Sequence, residues 1–405
     1  MFFDRREYVS RWERVAAAMA LRGYETLLVW QRAAGTYDRI GNVYWLTNFT
    51  INGTGQDPAS EEGGAPYTFA AVLIRRGREP ELHVGLPPQE VDVSRIVSGK
   101  IVHHQSNLMH GLANYLRDAR IEGRVALVGD DILPGMYDRQ LRSRTPQIEW
   151  VSDEAFLLGP QSIKSCRELE ACRMAGEIVT RALTLAMEAV LVGRSSAEAA
   201  AQAAASILSA GGGFHRIDVH HGPETEHRIL SNGLYGYDTR SAAPGDMVRI
   251  WIYGPIFEGY WLDPGRSGIC GNKPTPAQRL LLEGAVQIVE EVIAGIAPGV
   301  TARELGIRGG AMARKFGYFD YPQLNVPLLG HGLGTFFDPR IIPIGEIEAD
   351  PRGLMRYDDP LEPGMVMAAE VFLTHPGVGT AGFEQNFIVT ESGAEILSQT
   401  PMFFW

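Results

Sequence analysis

The sequence predicts an α/β domain followed by an α+β domain, on three observations. The chain has 405 residues, more than one ordinary hydrophobic core serves. Its first part alternates short apolar runs with helical patterning. Its second part repeats one helix-start signature four times among strand-like runs. The boundary falls at Leu158-Gly159-Pro160, which gives domains of residues 1–158 and 159–405.

In chain order, Tyr8, Trp12, Val15 and Met19 recur at helical spacing, and Arg22-Gly23 supplies a basic last turn and a stop. Thr26 to Trp30 reads as a buried strand. Asn42 to Phe49 (NVYWLTNF) and Phe69 to Ile74 also read as strands, separated by a polar, Gly-rich loop at Asn52 to Pro66. Further strands are expected at Glu81 to Val84, Lys100 to His103 and Val125 to Val128, with a helix over Leu108 to Arg120. Past the boundary, Ser165 to Glu168 forms a capping box, in which a serine caps the first turn and a glutamate reaches back. The helix it opens carries Leu169, Cys172, Val179, Leu183 and Val190 and ends at Gly193. The same signature recurs at Ser195 to Glu198, Thr275 to Gln278 and Thr301 to Glu304. Strand-like runs lie at Met247 to Tyr253, Glu258 to Asp263, Met365 to Leu373 and Gly382 to Thr390.

Apolar residues make up 45% and charged residues 21%, a globular composition. The formal net charge of −11, with no basic run, argues against nucleic acid or an anionic membrane as the main partner. Three cysteines, Cys166, Cys172 and Cys270, do not make a disulfide framework, and the expected home is the reducing cytoplasm. The start, MFFDRREYVSRW, meets charge too early for a signal peptide, and no run has the length of a membrane span.

Four segments carry chemistry together. They are GDMVRIW (Gly245 to Trp251) with GYWLDPGRS (Gly259 to Ser267), GHGLG (Gly330 to Gly334), EPGMVMAAE (Glu362 to Glu370) and GFEQNFIVT (Gly382 to Thr390). Glu370 and Glu384 each stand inside an apolar strand, and Asp263 follows Tyr260, Trp261 and Leu262. A bare buried carboxylate is costly, so each needs a cation, a metal or a hydrogen-bond network beside it. With His331 among glycines, three carboxylates and one imidazole form a candidate hard-metal site.

The order of these motifs resembles the pita-bread fold of methionine aminopeptidase, Xaa-Pro aminopeptidase, prolidase and creatinase. YVSRWERVAAAMALRGYETLLVW with NVYWLTNF resembles the creatinase-type N-terminal domain, and Ile163-Lys164-Ser165 with Glu168 and Arg173 resembles the start of the pita-bread domain. The resemblance implies five residues holding two metals. Asp263, His331, Glu370 and Glu384 match four of them. The first aspartate is replaced by Trp251, whose indole nitrogen has no lone pair to give a metal, so the expectation is one divalent ion, manganese, iron, zinc or cobalt. A family histidine about eleven residues before the GD motif falls on Leu234-Tyr235, with His220, His221 and His227 the nearest alternatives. A second family histidine falls on Asp338, which is either a base or a turn residue before Pro339.

These substitutions predict a metal-dependent hydrolase of a small non-peptide substrate, with Asp338 or Tyr235 handling the proton. Trp251, Tyr253 and Arg266 are the expected substrate-side residues, Arg266 also as an ion-pair support for the metal carboxylates. The alternatives are an Xaa-Pro dipeptidase or aminopeptidase, a lyase similar to dimethylsulfoniopropionate lyase, and a binding protein on the same scaffold. The resemblance further implies a homodimer, with Asn52 to Pro66 the candidate border of the partner's site.

Overall fold

The computed structural model describes residues 2–32, 41–50, 69–104, 108–226, 235–316, 328–335, 343–345 and 356–405. The expected loop Asn52 to Pro66, His227 and Asp338 lie outside the described residues. The chain divides into two compact units, Met1–Gln161 and Ser162–Trp405.

In the first unit, α1 (Arg5–Arg22) starts where the Asp4 carboxylate accepts from the Arg6 and Glu7 amides and stops at Gly23 in the left-handed region. There follow β1 (Thr26–Arg32), α2 (Gly41–Thr47), β2 (Phe69–Arg75), β3 (Glu81–Val84), β4 (Lys100–His103), α3 (Leu108–Asp118), β5 (Gly123–Val128), α4 (Gly135–Arg144), β6 (Ile148–Ser152) and α5 (Leu158–Ser162). The six strands make one mixed sheet in the order β4-β3-β2-β1-β5-β6. Leu28, Trp30 and Phe69 from the sheet pack with Leu112, Leu116 and Leu141 from the helices in its core.

The run NVYWLTNF, expected to be a strand, is instead mostly helix α2. Its Val, Tyr and Trp favour strands, but tertiary bonding overrides that weak preference. Arg11 donates to the Trp45 carbonyl and the Trp12 indole to the Leu46 carbonyl, both at 2.8 Å, so α1 satisfies carbonyls that a short helix leaves open. Asn48, at φ +56°, then ends the helix.

His83 of β3 is fully buried, and its Nδ1 lies 2.9 Å from Nε2 of His104 with the rings stacked. A bond between two imidazoles needs one donor and one acceptor, so the two rings cannot both be protonated. Burial, then His104, Lys100 and Arg75, push His83 well down; burial, then His103, pushes His104 down to about 4. Tyr115 packs edge-on against His83 and donates to Glu81 beside it. An unfolded histidine takes up its proton near 6.5, so the unfolded state binds more protons as pH falls from there toward 4. The stability of this unit is therefore expected to drop across that window, with His104 contributing at most about 3 kcal/mol. Calorimetry between pH 7 and 4 should show the loss, and His104→Gln should remove the His104 share of it.

In the second unit, α6 (Cys166–Leu191) and α7 (Ser196–Ser209) lead to β7 (Arg216–His221), β8 (Met247–Phe257), β9 (Tyr260–Leu262) and β10 (Gly265–Ile269). Then come α8 (Pro276–Ala294), α9 (Ala302–Lys315), β11 (Leu328–Gly332), β12 (Ile344–Gly345), β13 (Val366–His375), β14 (Gly379–Thr390) and β15 (Gly393–Ile396). Each of the four helices opens with a complete capping box, at Ser165, Ser195, Thr275 and Thr301. The sheet runs β12-β11-β13-β14-β10-β8-β7, with β15 on β14 and β9 on β8. Helix α6 packs on β8, and α8 packs on β13 and β14. β14 is buried along nearly all of its length, so the polar residues on it must find partners inside the protein. Among the described residues no helix is long and apolar enough to cross a membrane, and all three cysteines are free thiols.

Candidate metal centre

Strand register assembles the centre. Glu370 of β13 stands directly opposite Glu384 of β14, and Glu384 stands opposite Gly265 of β10, which in turn faces Trp251 of β8. Two like charges directly opposed across an antiparallel pair repel unless a cation lies between them. On the other side of β13, His331 pairs with Ala368, two residues from Glu370 and so on the same face. Gly330 makes that approach possible: at φ +151°, a Cβ on it would lie 2.1 Å from the Ala368 carbonyl oxygen.

His331 Nε2 lies 3.2 Å from Asp263 Oδ2, 3.8 Å from Glu370 Oε1 and 4.0 Å from Glu384 Oε1. Its Nδ1–H donates to the Gly332 carbonyl at 3.1 Å, which aims Nε2 at the carboxylates. Asp263, His331 and Glu384 are each at most 3% exposed. Asp263 follows β9 and is held from both ends by Asn386, whose amide donates to Oδ1 at 2.7 Å and accepts from the Asp263 N–H at 3.0 Å.

The electrostatics are those of a cluster sharing too much negative charge. Burial pushes Glu384 well above the carboxylate range, and the neighbouring Asp263 and Glu370 charges add to it. Burial would raise Asp263 too, but the His331 charge and its hydrogen bonds hold it below its ordinary value. Burial would lower His331, yet Asp263 and then Glu370 drive it up to about 9. Glu384 Oε1 is buried with no hydrogen-bond partner. An orphaned carboxylate oxygen aimed at an imidazole nitrogen and two more carboxylates suits a hard divalent ion. Asp263, His331, Glu370 and Glu384 are the residues that would hold it.

The other expected site residues are placed differently. Trp251 is buried at the centre itself, donating from its indole N–H to Glu384 Oε2 at 2.5 Å and stacking on Phe372. Tyr253, two residues on, donates to Asp218 Oδ2 at 3.1 Å. Tyr235 is 65% exposed and stacks on Tyr237. Arg266, expected as a substrate contact and as a partner of the metal carboxylates, is fully buried and turned to other acceptors. It donates to the carbonyls of Gly265, Glu384, Ser398, Thr400 and Pro401 and to the Gln385 side chain. It supports the Glu384 strand from behind because five fixed carbonyls converge there. His220 faces Asp218 at 4.0 Å, and burial, then Arg249 and Arg216, push it down to about 3; His221 meets the Arg240 carbonyl and Asp246. Two contributors escaped the sequence reading. Asn386 has a readable signal, standing two residues after Glu384 on the same strand face. Asp218 has none, because only the β7–β8 register sets it opposite Trp251.

A model of metallopeptidase family M24 matches residues 170–391, more than half of the chain. The chain belongs to this family. An Xaa-Pro dipeptidase of Pyrococcus furiosus is 28% identical over 252 residues, 59% of this chain and 63% of the relative. The match thus spans less than two thirds of that relative's length. A putative dipeptidase, YkvY, of Bacillus subtilis is 26% identical over 71% of this chain and 74% of its own. Among solved structures, the prolidase from Pyrococcus furiosus has a TM-score of 0.74 at 18% identity, covering 95% of this chain and 99% of that one. An Xaa-Pro dipeptidase from Bacillus anthracis has a TM-score of 0.75 at 20% identity, covering 97% and 98%. These place the M24 chain in the two-domain pita-bread fold.

Proposed function

We propose that this M24 chain is a metal-dependent hydrolase that cleaves the C–N bond of a dipeptide-sized substrate with one divalent ion. The observation that carries the reading is the convergence of Asp263, Glu370 and Glu384 on His331 Nε2, with Glu384 Oε1 left unpartnered. A divalent ion held there supplies Lewis acidity toward a carbonyl oxygen and an activated water. The chain's own part is to aim His331 through the Gly332 carbonyl, to pin Asp263 through Asn386, and to keep both dry. The proton transfer is proposed for Asp338 or Tyr235.

Xaa-Pro dipeptides are the first substrate class, supported by relatives named dipeptidase and Xaa-Pro dipeptidase. The earlier expectation of a non-peptide substrate finds no support among those relatives. It survives as the second reading on one observation: a Trp251–Phe372 stack with ring centroids 4.6 Å apart stands where a polar ligand was expected. Such a wall suits a ring or a cationic group. The protein is further proposed to be a cytoplasmic homodimer, which light scattering addresses.

The experiment compares Xaa-Pro dipeptides with small non-peptide amides, using protein loaded with manganese, cobalt, zinc or iron. Turnover is expected to vanish on chelation and return on reloading. Full turnover after chelation, with less than about half an equivalent of metal bound, would sink the hydrolase reading.

A further inference from the structure

Trp251 begins on β8 and ends on β14, crossing the whole of β10. Gly265 faces Trp251 on one side and Glu384 on the other, so the indole reaches Glu384 only by lying over Gly265. A Cβ at Gly265 would sit 1.9 Å from indole Cε2, inside the ring's own space. At the far end, a Cβ at Gly382 would sit 2.3 Å from Cη2. Any side chain at either position would evict the indole. Gly382 is itself fixed, since the Ser267 hydroxyl donates to its carbonyl and accepts from its N–H, both at 2.9 Å. Phe372, opposite Gly382 in the register, closes the slot by stacking on the indole at 28°. The result is an N–H delivered to Oε2 of a carboxylate that is 1% exposed.

We propose that Trp251, seated in the slot opened by Gly265 and Gly382, stands in for a second cation on Glu384. The N–H supplies a positive partner for Oε2, and the ring fills the volume in which another ion and its water would sit. Oε1 is left for the ion that His331 and Asp263 share. An N–H is a fixed donor that cannot dissociate, so Glu384 keeps its orientation when the ion is stripped and the centre stays shaped for reloading. The three residues act as one device, because the indole has no room unless both glycines are bare. This rests on the one-metal hydrolase reading above and explains how that count is enforced.

Manganese alone is the probe, with bound ion counted by elemental analysis after equilibrium dialysis and affinity measured by titration calorimetry. The natural chain is expected to hold one manganese. Trp251→Asp, which empties the slot and adds an oxygen ligand, is expected to hold two. Trp251→Phe keeps the bulk without the donor and should still hold one, at least about tenfold more weakly. Gly265→Ala keeps the donor but pushes it aside and should match Trp251→Phe, which covers a Trp251→Asp chain that fails to fold by circular dichroism. Two ions in the natural chain, one in folded Trp251→Asp, or unchanged affinity in Trp251→Phe overturns the proposal while leaving a metal site standing. No ion in the natural chain overturns the hydrolase reading itself.

Discussion

His331→Ala is expected to weaken metal binding by at least about a hundredfold, or about 2.7 kcal/mol, and to take turnover with it. Substitutions one layer outside a metal site already cost about 10–100-fold, and His331 is the point to which all three carboxylates converge. The metal-free chain should suffer as well. In it the imidazole, driven up to about 9, is the positive centre among the three carboxylates, so its loss leaves buried like charges uncompensated. The same group sets the pH dependence of loading in the natural chain. His331 holds a proton below about 9, and Glu384 is pushed well above the usual carboxylate range, so both release protons when an ion enters. Protons and metal therefore compete: affinity falls as pH falls, by about tenfold per pH unit for each proton displaced, and the His331 share of that dependence levels off above about 9. Titration calorimetry in buffers of different ionisation enthalpy counts the protons. Affinity that does not change between pH 6 and 8 would exclude this account.

Arg266→Ala is expected to cost about 3–5 kcal/mol of stability, measured by urea denaturation. The side chain is fully buried, packs 4.4 Å over the Phe383 ring and gathers five carbonyls and one amide oxygen. Truncation strips buried carbonyls of this donor, which costs more than the bonds contributed when made. Arg266→Lys should recover only part of the loss, because an ammonium offers three donors in place of a planar fork of five. The damage should reach the metal, since one lost partner is the backbone of Glu384 itself. Arg266→Ala with unchanged stability but weakened turnover would return the residue to the substrate side.

Much of the second unit could be read from side chains because its signals are local. A Ser or Thr three residues before Glu or Gln fixes a helix start wherever the chain folds, and all four such pairs form complete capping boxes. The carboxylates in β13 and β14 stood out because burial without a partner is too expensive to be accidental. What could not be read depends on register and on backbone. Nothing in Gly265 or Gly382 announces a slot until β8, β10 and β14 are aligned. The role of Arg266 was hidden because carbonyl acceptors have no sequence signature. Residues 42–47 misled because a short apolar run has no decisive period, and the bonds from Arg11 and Trp12 decided its form.

The dependence of Arg266 on residues 398–401 also orders events during synthesis. Asp263, His331, Glu370 and Glu384 have all been polymerised once residue 384 is added. At that moment the guanidinium behind them still lacks the carbonyls of Ser398, Thr400 and Pro401. The first unit, complete by residue 161, can collapse while the ribosome is still translating the second. The four residues proposed to hold the metal, drawn from residues 263 to 384 and braced by 398 to 401, cannot settle until translation has passed that brace. A nascent chain stalled at residue 390 would carry every ligand and still be a poor chelator.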